Sequence, residues 1–78
     1  MIISTKEISH LQEIIAANVR KRRLQMGLSQ EEFAGVCGYH RTYIGSIERS
    51  ERNITVSTLE ALATGLETEP AELLRENG

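Results

Sequence analysis

Apolar residues along this 78-residue chain recur at helical spacing, and short polar stretches carrying glycine or proline separate one run from the next. Ile8, Leu11, Ile15 and Val19 follow at steps of three, four and four, which draws an apolar stripe along one helix face. That helix is expected to start between Thr5 and His10, where Ser4-x-x-Glu7 and Ser9-x-x-Gln12 are rival capping boxes, and to stop at Gly27. Residues 1–4 read as a flexible arm. A second helix opens at Ser29, since Ser29-x-x-Glu32 forms a capping box and Phe33 and Cys37 stand four apart on an inward face. Gly38, which can take the left-handed cap, ends it. The third helix runs from about Arg41 to Arg49 with Ile44 and Ile47 facing the core, and residues 50–54 form a loop. Thr55 or Ser57 caps a fourth helix carrying Leu59, Leu62 and Leu66, which ends at Gly65 or just after it. Thr68 and Pro70 start a short fifth helix with Leu73 and Leu74, because proline suits a first turn. Only residues 53–57 alternate, too short a run to argue for a strand. The expectation is an all-α, compact five-helix bundle forming one domain over residues 1–78, with its C-terminal helices within 56–76.

The middle of the chain is more specific. Phe33, Cys37, Ile44 and Ile47 are apolar where two crossed helices must share a core, and Ala34 is small where they come closest. Gly38 sits where the turn needs an unusual backbone angle, with bulky Tyr39 directly after it. Two helices joined by a short glycine-containing turn and crossing at roughly 90–120° make a helix-turn-helix. Here it spans residues 29–49 and consists of helices two and three.

Charge at first argues against a nucleic-acid partner, since the net charge is −2 and such domains are usually basic. The charge is segregated, however. Positions 20–52 carry seven basic residues against four acidic ones, and from position 53 onward five glutamates face Arg75 alone. That distribution suits one basic face and one acidic end. Taken alone, the cluster Arg20, Lys21, Arg22 and Arg23 is a solvated helix end, where cations favour the helix dipole.

Catalysis and metal binding find no support. The chain has no aspartate, and neither His10 nor His40 has a nucleophile or carboxylate at motif spacing. Two histidines and one cysteine scattered along the chain make no metal site, and no phosphate-cradling glycine loop is present. No cofactor is therefore expected. Cys37 is most economically a small core residue; as the single cysteine it excludes an internal disulfide framework and suits a reducing cytosol. No apolar run approaches the ~20 residues of a membrane span, and the N-terminus lacks the layout of a secretory signal, so a cytoplasmic location is expected. A chain this short buries only about 60% of its unfolded surface, and dimerisation is an ordinary remedy.

The runs Gly27-Leu28-Ser29-Gln30-Glu31-Glu32-Phe33-Ala34, Gly38, Thr42-Tyr43-Ile44 and Ile47-Glu48-Arg49 resemble the phage repressor (Cro/repressor-like, Xre-type) helix-turn-helix family. Arg52-Asn53-Ile54 and Leu59-Glu60-Ala61-Leu62-Ala63 extend the resemblance to about residues 11–76. Within that family, Arg41-Thr42-Tyr43-Ile44-Gly45-Ser46-Ile47-Glu48-Arg49 looks most like controller proteins of restriction–modification systems. The resemblance implies a sequence-specific transcriptional regulator that binds a palindromic operator as a homodimer. Its partners would be double-stranded DNA and RNA polymerase, and its own promoter would be a target. A different reading is an antitoxin-type module that sequesters a partner through its acidic C-terminal half. Such modules commonly carry a further tail, and Gly78 follows soon after helix five, which weighs towards the regulator.

The resemblance also assigns residues. Helix three becomes the recognition helix, with Arg41 reading guanine O6 and N7 or else meeting phosphate. Thr42 contacts a base edge or helps cap the helix; Ser46, one turn on, contacts base or phosphate. Tyr43 reaches DNA through its hydroxyl or ring, or only packs. His40 stands where relatives often have serine, so it caps poorly, meets phosphate when protonated, or is an ordinary surface histidine. Gln30 touches phosphate at the start of helix two, and Arg49 and Arg52 meet phosphate or the minor groove. Gly45 lets DNA or a neighbouring helix come close, or is simply tolerated. Arg23 and Glu48 form a structural ion pair, while Arg22 departs from the pattern, since many relatives have an aliphatic residue there. Ile54, Leu66, Leu73 and Leu74 supply the two-fold interface or close the monomer's core.

Overall fold

The computed structural model describes the backbone of residues 5–76 and the side chains of residues 10–76. The expected arm and both rival capping boxes, which depend on Ser4 and Ser9, lie outside the described side chains. Five helices follow in order: α1 (Thr5–Gln25), α2 (Gln30–Cys37), α3 (Arg41–Glu48), α4 (Val56–Gly65) and α5 (Pro70–Leu73). None is long and apolar enough to cross a membrane.

Ile15 and Val19 of the α1 stripe meet Phe33, Ala34, Ile44, Ile47, Leu62, Ala63, Leu66 and Leu73 in one core. Leu11, assigned to the same stripe, is instead 45% exposed. Burying a residue of the size of Phe33 or Leu62 contributes about 1.5–3 kcal/mol, so these few side chains dominate the stabilisation. The helix starts follow the polar residues that flank them. Ser29 Oγ accepts from Glu32 N–H at 3.0 Å and Glu32 Oε1 accepts from Ser29 N–H at 2.8 Å, a reciprocal cap on α2. The Ser29 backbone N–H first, and then the Ser29 side chain, hold the Glu32 carboxyl below its ordinary pKa. Thr55 rather than Ser57 caps α4, accepting from Thr58 N–H at 3.1 Å.

The helix ends are less orthodox. Gly27 and Gly38 close α1 and α2 in the left-handed conformation, as glycine permits. Ser50 (φ 62°) and Glu67 (φ 55°) do the same after α3 and α4 without that freedom. After α4, Glu67 N–H reaches Thr64 O at 3.1 Å and Thr68 N–H reaches Ala63 O at 2.9 Å, the closure glycine usually makes. A left-handed residue with a Cβ costs about 1–2 kcal/mol, and glycine's extra unfolded-state freedom offsets part of any gain. Glu67→Gly should therefore stabilise the fold by about 0.5–1 kcal/mol, raising Tm by several degrees in a thermal melt. A lower Tm would rule this out.

Two polar side chains on α1, four residues apart, tie down the C-terminal helices. Buried Asn18 donates through Nδ2 to Leu73 O (2.9 Å) and Arg75 O (2.8 Å), satisfying carbonyls left open at the end of α5. Arg22 donates through Nε to Leu66 O at 2.9 Å, at the end of α4. The departure at Arg22 is thus a helix C-cap, and a cation there also favours the dipole. Gly65 marks the closest approach of α4 to α2, since a Cβ built on it would lie 2.7 Å from Cys37 Sγ and 3.2 Å from Phe33 Cε1. Cys37 itself is half-buried beneath that contact, and desolvation pushes its thiol pKa up, which keeps it neutral.

Candidate nucleic-acid interface

α3 is held from behind by a polar cluster. Glu48, at its last position, pairs with Arg23 of α1: Arg23 Nε lies 2.7 Å from Oε2 and Nη2 lies 2.9 Å from Oε1. The two side chains are 8% and 3% exposed. Arg23 Nη1 also donates to Leu28 O at 2.8 Å, and Gln30 Nε2 donates to Glu48 Oε1 at 3.1 Å. The bond to Glu48 raises the guanidinium pKa against the desolvation that burial imposes. The cluster therefore joins α1, the turn after it, the start of α2 and the end of α3. Gln30, expected on phosphate, spends its amide here.

The N-terminal end of α3 faces outward. Arg41 and Thr42 are exposed, and among the described residues Arg41 has no hydrogen-bond or ion-pair partner. His40 caps the helix, with Nδ1 accepting from Thr42 N–H at 3.1 Å. Tyr43 is half-buried, its ring edge-on to Tyr39 with centroids 5.1 Å apart. Arg52 lies over the Tyr43 ring at 5.6 Å and donates through Nε to Ser46 Oγ at 3.2 Å.

One assignment needs correction, and the alternatives left open at two leucines are decided. Ser46 is only 6% exposed, and its hydroxyl donates to Tyr43 O at 2.7 Å while accepting from Arg52. It lies one turn beyond Thr42 but on the inward side, so it supports Arg52 and does not face DNA. Leu66 and Leu73 are 0% and 2% exposed and fill the monomer's core, which removes both from any surface. Ile54 and Leu74 do line a groove of about 350 Å³, together with Leu11, Val56 and Leu59, and Val56 is 76% exposed.

Arg49 is the C-cap of α3. Its side chain runs back across Gly45, where a built Cβ would lie 3.1 Å from Nη1 and 3.4 Å from Gln30 Oε1. The missing side chain thus makes room for Arg49 and Gln30. Sequence reasoning overlooked Glu51, whose carboxylate takes Arg49 Nε at 3.0 Å and Nη2 at 3.2 Å. The opposite charges two positions apart were the available signal.

A glycine turn between two short crossed helices, with one polar helix end presented and its other end clamped, defines a helix-turn-helix protein. The chain belongs to the helix-turn-helix family, matching it over residues 19–73. It is 53% identical to the control protein C.SmaI of Serratia marcescens over 68 residues, 87% of this chain and 81% of that protein. The restriction–modification controller protein C.AhdI of Aeromonas hydrophila has a similar structure, with a TM-score of 0.76 and 39% identity over 80% of this chain and 94% of that one. So has the controller C.Esp1396I, solved as a tetramer in complex with its natural 35 base-pair operator, with a TM-score of 0.73 and 34% identity over 83% of this chain and 96% of that one.

Proposed function

We propose that this chain is a sequence-specific transcriptional regulator, the controller of a restriction–modification system, which binds a palindromic operator at its own promoter as a homodimer. The observation that carries the reading is the outward N-terminal end of α3, with Thr42 exposed and the Arg41 side chain exposed and unpartnered, on a helix that Glu48 anchors to the scaffold. Relatives named as controllers, one of them bound to its operator, support the same reading. Arg41 and Thr42 read bases, Arg49 and Arg52 hold phosphates, and the exposed end of α2 approaches the backbone. RNA polymerase is the partner such a dimer meets at a promoter.

The groove formed by Leu11, Ile54, Val56, Leu59 and Leu74 serves as the two-fold interface, since its exposed members Leu11, Val56 and Leu74 gain most from being covered by a second copy. Two recognition helices then stand about 34 Å apart, one turn of DNA. Selection of bound fragments from a random duplex pool should recover a sequence with two-fold symmetry. The mass in solution should be twice 8.7 kDa, and Leu74→Glu should return it to the monomer and abolish symmetric selection. Recovery of unrelated fragments, or a monomer that still selects a palindrome, would overturn the respective part.

A further inference from the structure

The Arg49–Glu51 pair lies in the part of the surface that the proposed function turns towards the DNA backbone, and it is built rather than incidental. Ser50 takes the left-handed conformation, and Glu51 N–H closes the end of α3 on Ser46 O at 2.9 Å. That closure places the Glu51 carboxylate beside the C-cap residue. Arg49 lies flat along α3 because Gly45 has no Cβ to hold it off. The two oxygens of Glu51 then accept from two nitrogens of the guanidinium at 3.0 and 3.2 Å. A phosphate offers the same two-oxygen edge to the same fork. Both side chains remain more than half exposed, so a phosphate can reach the guanidinium once the carboxylate leaves.

We infer that Glu51 is an internal phosphate mimic, a positioning residue that occupies Arg49 in the free protein and must be displaced when Arg49 takes a DNA phosphate. The inference rests on the DNA-binding reading above. In the free state the carboxylate holds Arg49 extended over Gly45, with its guanidinium near the first residue of α2. On binding, one charge-assisted pair is exchanged for another, so Arg49 adds little net affinity for arbitrary DNA. The freed carboxylate then stands next to the backbone and repels it. Both effects lower non-specific binding while leaving contacts at the start of α3 untouched. Glu51 thereby acts against the wrong partner, which raises specificity without a base contact.

Glu51→Gln keeps the shape and removes the charge, and it lies outside the buried core, so folding is preserved. The probe is a fluorescent random-sequence duplex of about 20 base pairs, titrated over a series of salt concentrations. An exposed ion pair is weak, so Glu51→Gln should bind this probe only about two- to fivefold more tightly at low salt. Its salt slope should steepen, by up to the ~0.9 of one phosphate contact, because the freed carboxylate no longer offsets the contact that Arg49 makes. In an Arg49→Met background the same substitution should leave the slope unchanged, and its gain in affinity should shrink to the relief of the carboxylate's repulsion. An unchanged slope in the Glu51→Gln protein, or a gain that is just as large without Arg49, would overturn the inference while leaving the DNA-binding reading intact. Failure of the parent protein to bind the duplex in a salt-dependent way would overturn both.

Discussion

Glu48→Ala is expected to lower the unfolding free energy by about 3–5 kcal/mol, because it strands the Arg23 guanidinium in the interior with Leu28 O as its remaining acceptor. Domains hold about 5–15 kcal/mol in all, and a chain of this length sits towards the lower end. The variant should therefore be unfolded in a substantial fraction of molecules at moderate temperature. Urea unfolding followed by circular dichroism, at one fixed protein concentration, measures the loss directly. Glu48→Gln should fall between, since it keeps one good acceptor and loses the charge. The cost of the alanine change belongs to the unpaired partner and is not the net worth of the pair. Replacing both residues with apolar side chains (Arg23→Met with Glu48→Leu) should therefore restore much of the stability that Glu48→Ala removes. A single-variant loss below about 1 kcal/mol would show that water reaches Arg23 and that the pair is not the clamp its burial indicates.

The parts of the fold legible beforehand were those with a local cause. Ser29-x-x-Glu32, Gly27 and Gly38 each act on their own turn of backbone, and the helix borders near them follow from those residues alone. The left-handed residues Ser50 and Glu67 were not legible, because the chain there is pulled into place by packing rather than by glycine's freedom. Asn18 and Arg22 show the same limit from another side. Their acceptors lie 44–57 residues away, on helix ends whose positions no local pattern gives. Asparagine inside a long helix is nonetheless a signal, since it competes poorly there unless its amide is used. For the candidate site, the family resemblance nominated Arg41, Thr42 and the loop arginines, but not which of them were already engaged. Ser46 was placed on the outward face because it follows Thr42 by one turn; whether a helix face points in or out depends on neighbours in space. Glu51 escaped notice because a glutamate beside arginines resembles ordinary solvated charge until its two oxygens are seen on one guanidinium.

Arg41→Ala should leave the fold as stable as before and yet cost more binding than any other single change in α3. The first half follows from its place. Arg41 is the first residue of α3, whose first turn contains no acid, so a cation there opposes the helix dipole and gains nothing from a partner. Its removal should be neutral or raise stability by a few tenths of a kcal/mol, roughly the size of that dipole term. The second half follows from chemistry and symmetry. A guanidinium paired with guanine O6 and N7 discriminates by about 1–3 kcal/mol, and a homodimer presents the contact twice, so the operator should lose about 2–6 kcal/mol. Random DNA, which offers no matched guanine, should lose far less. Titrating the operator and a scrambled duplex at one salt concentration separates the two cases. A loss confined to operators with guanine at one symmetric pair of positions assigns base reading to Arg41. Equal losses on both duplexes would reduce it to a phosphate contact and shift recognition to Thr42 and Tyr43.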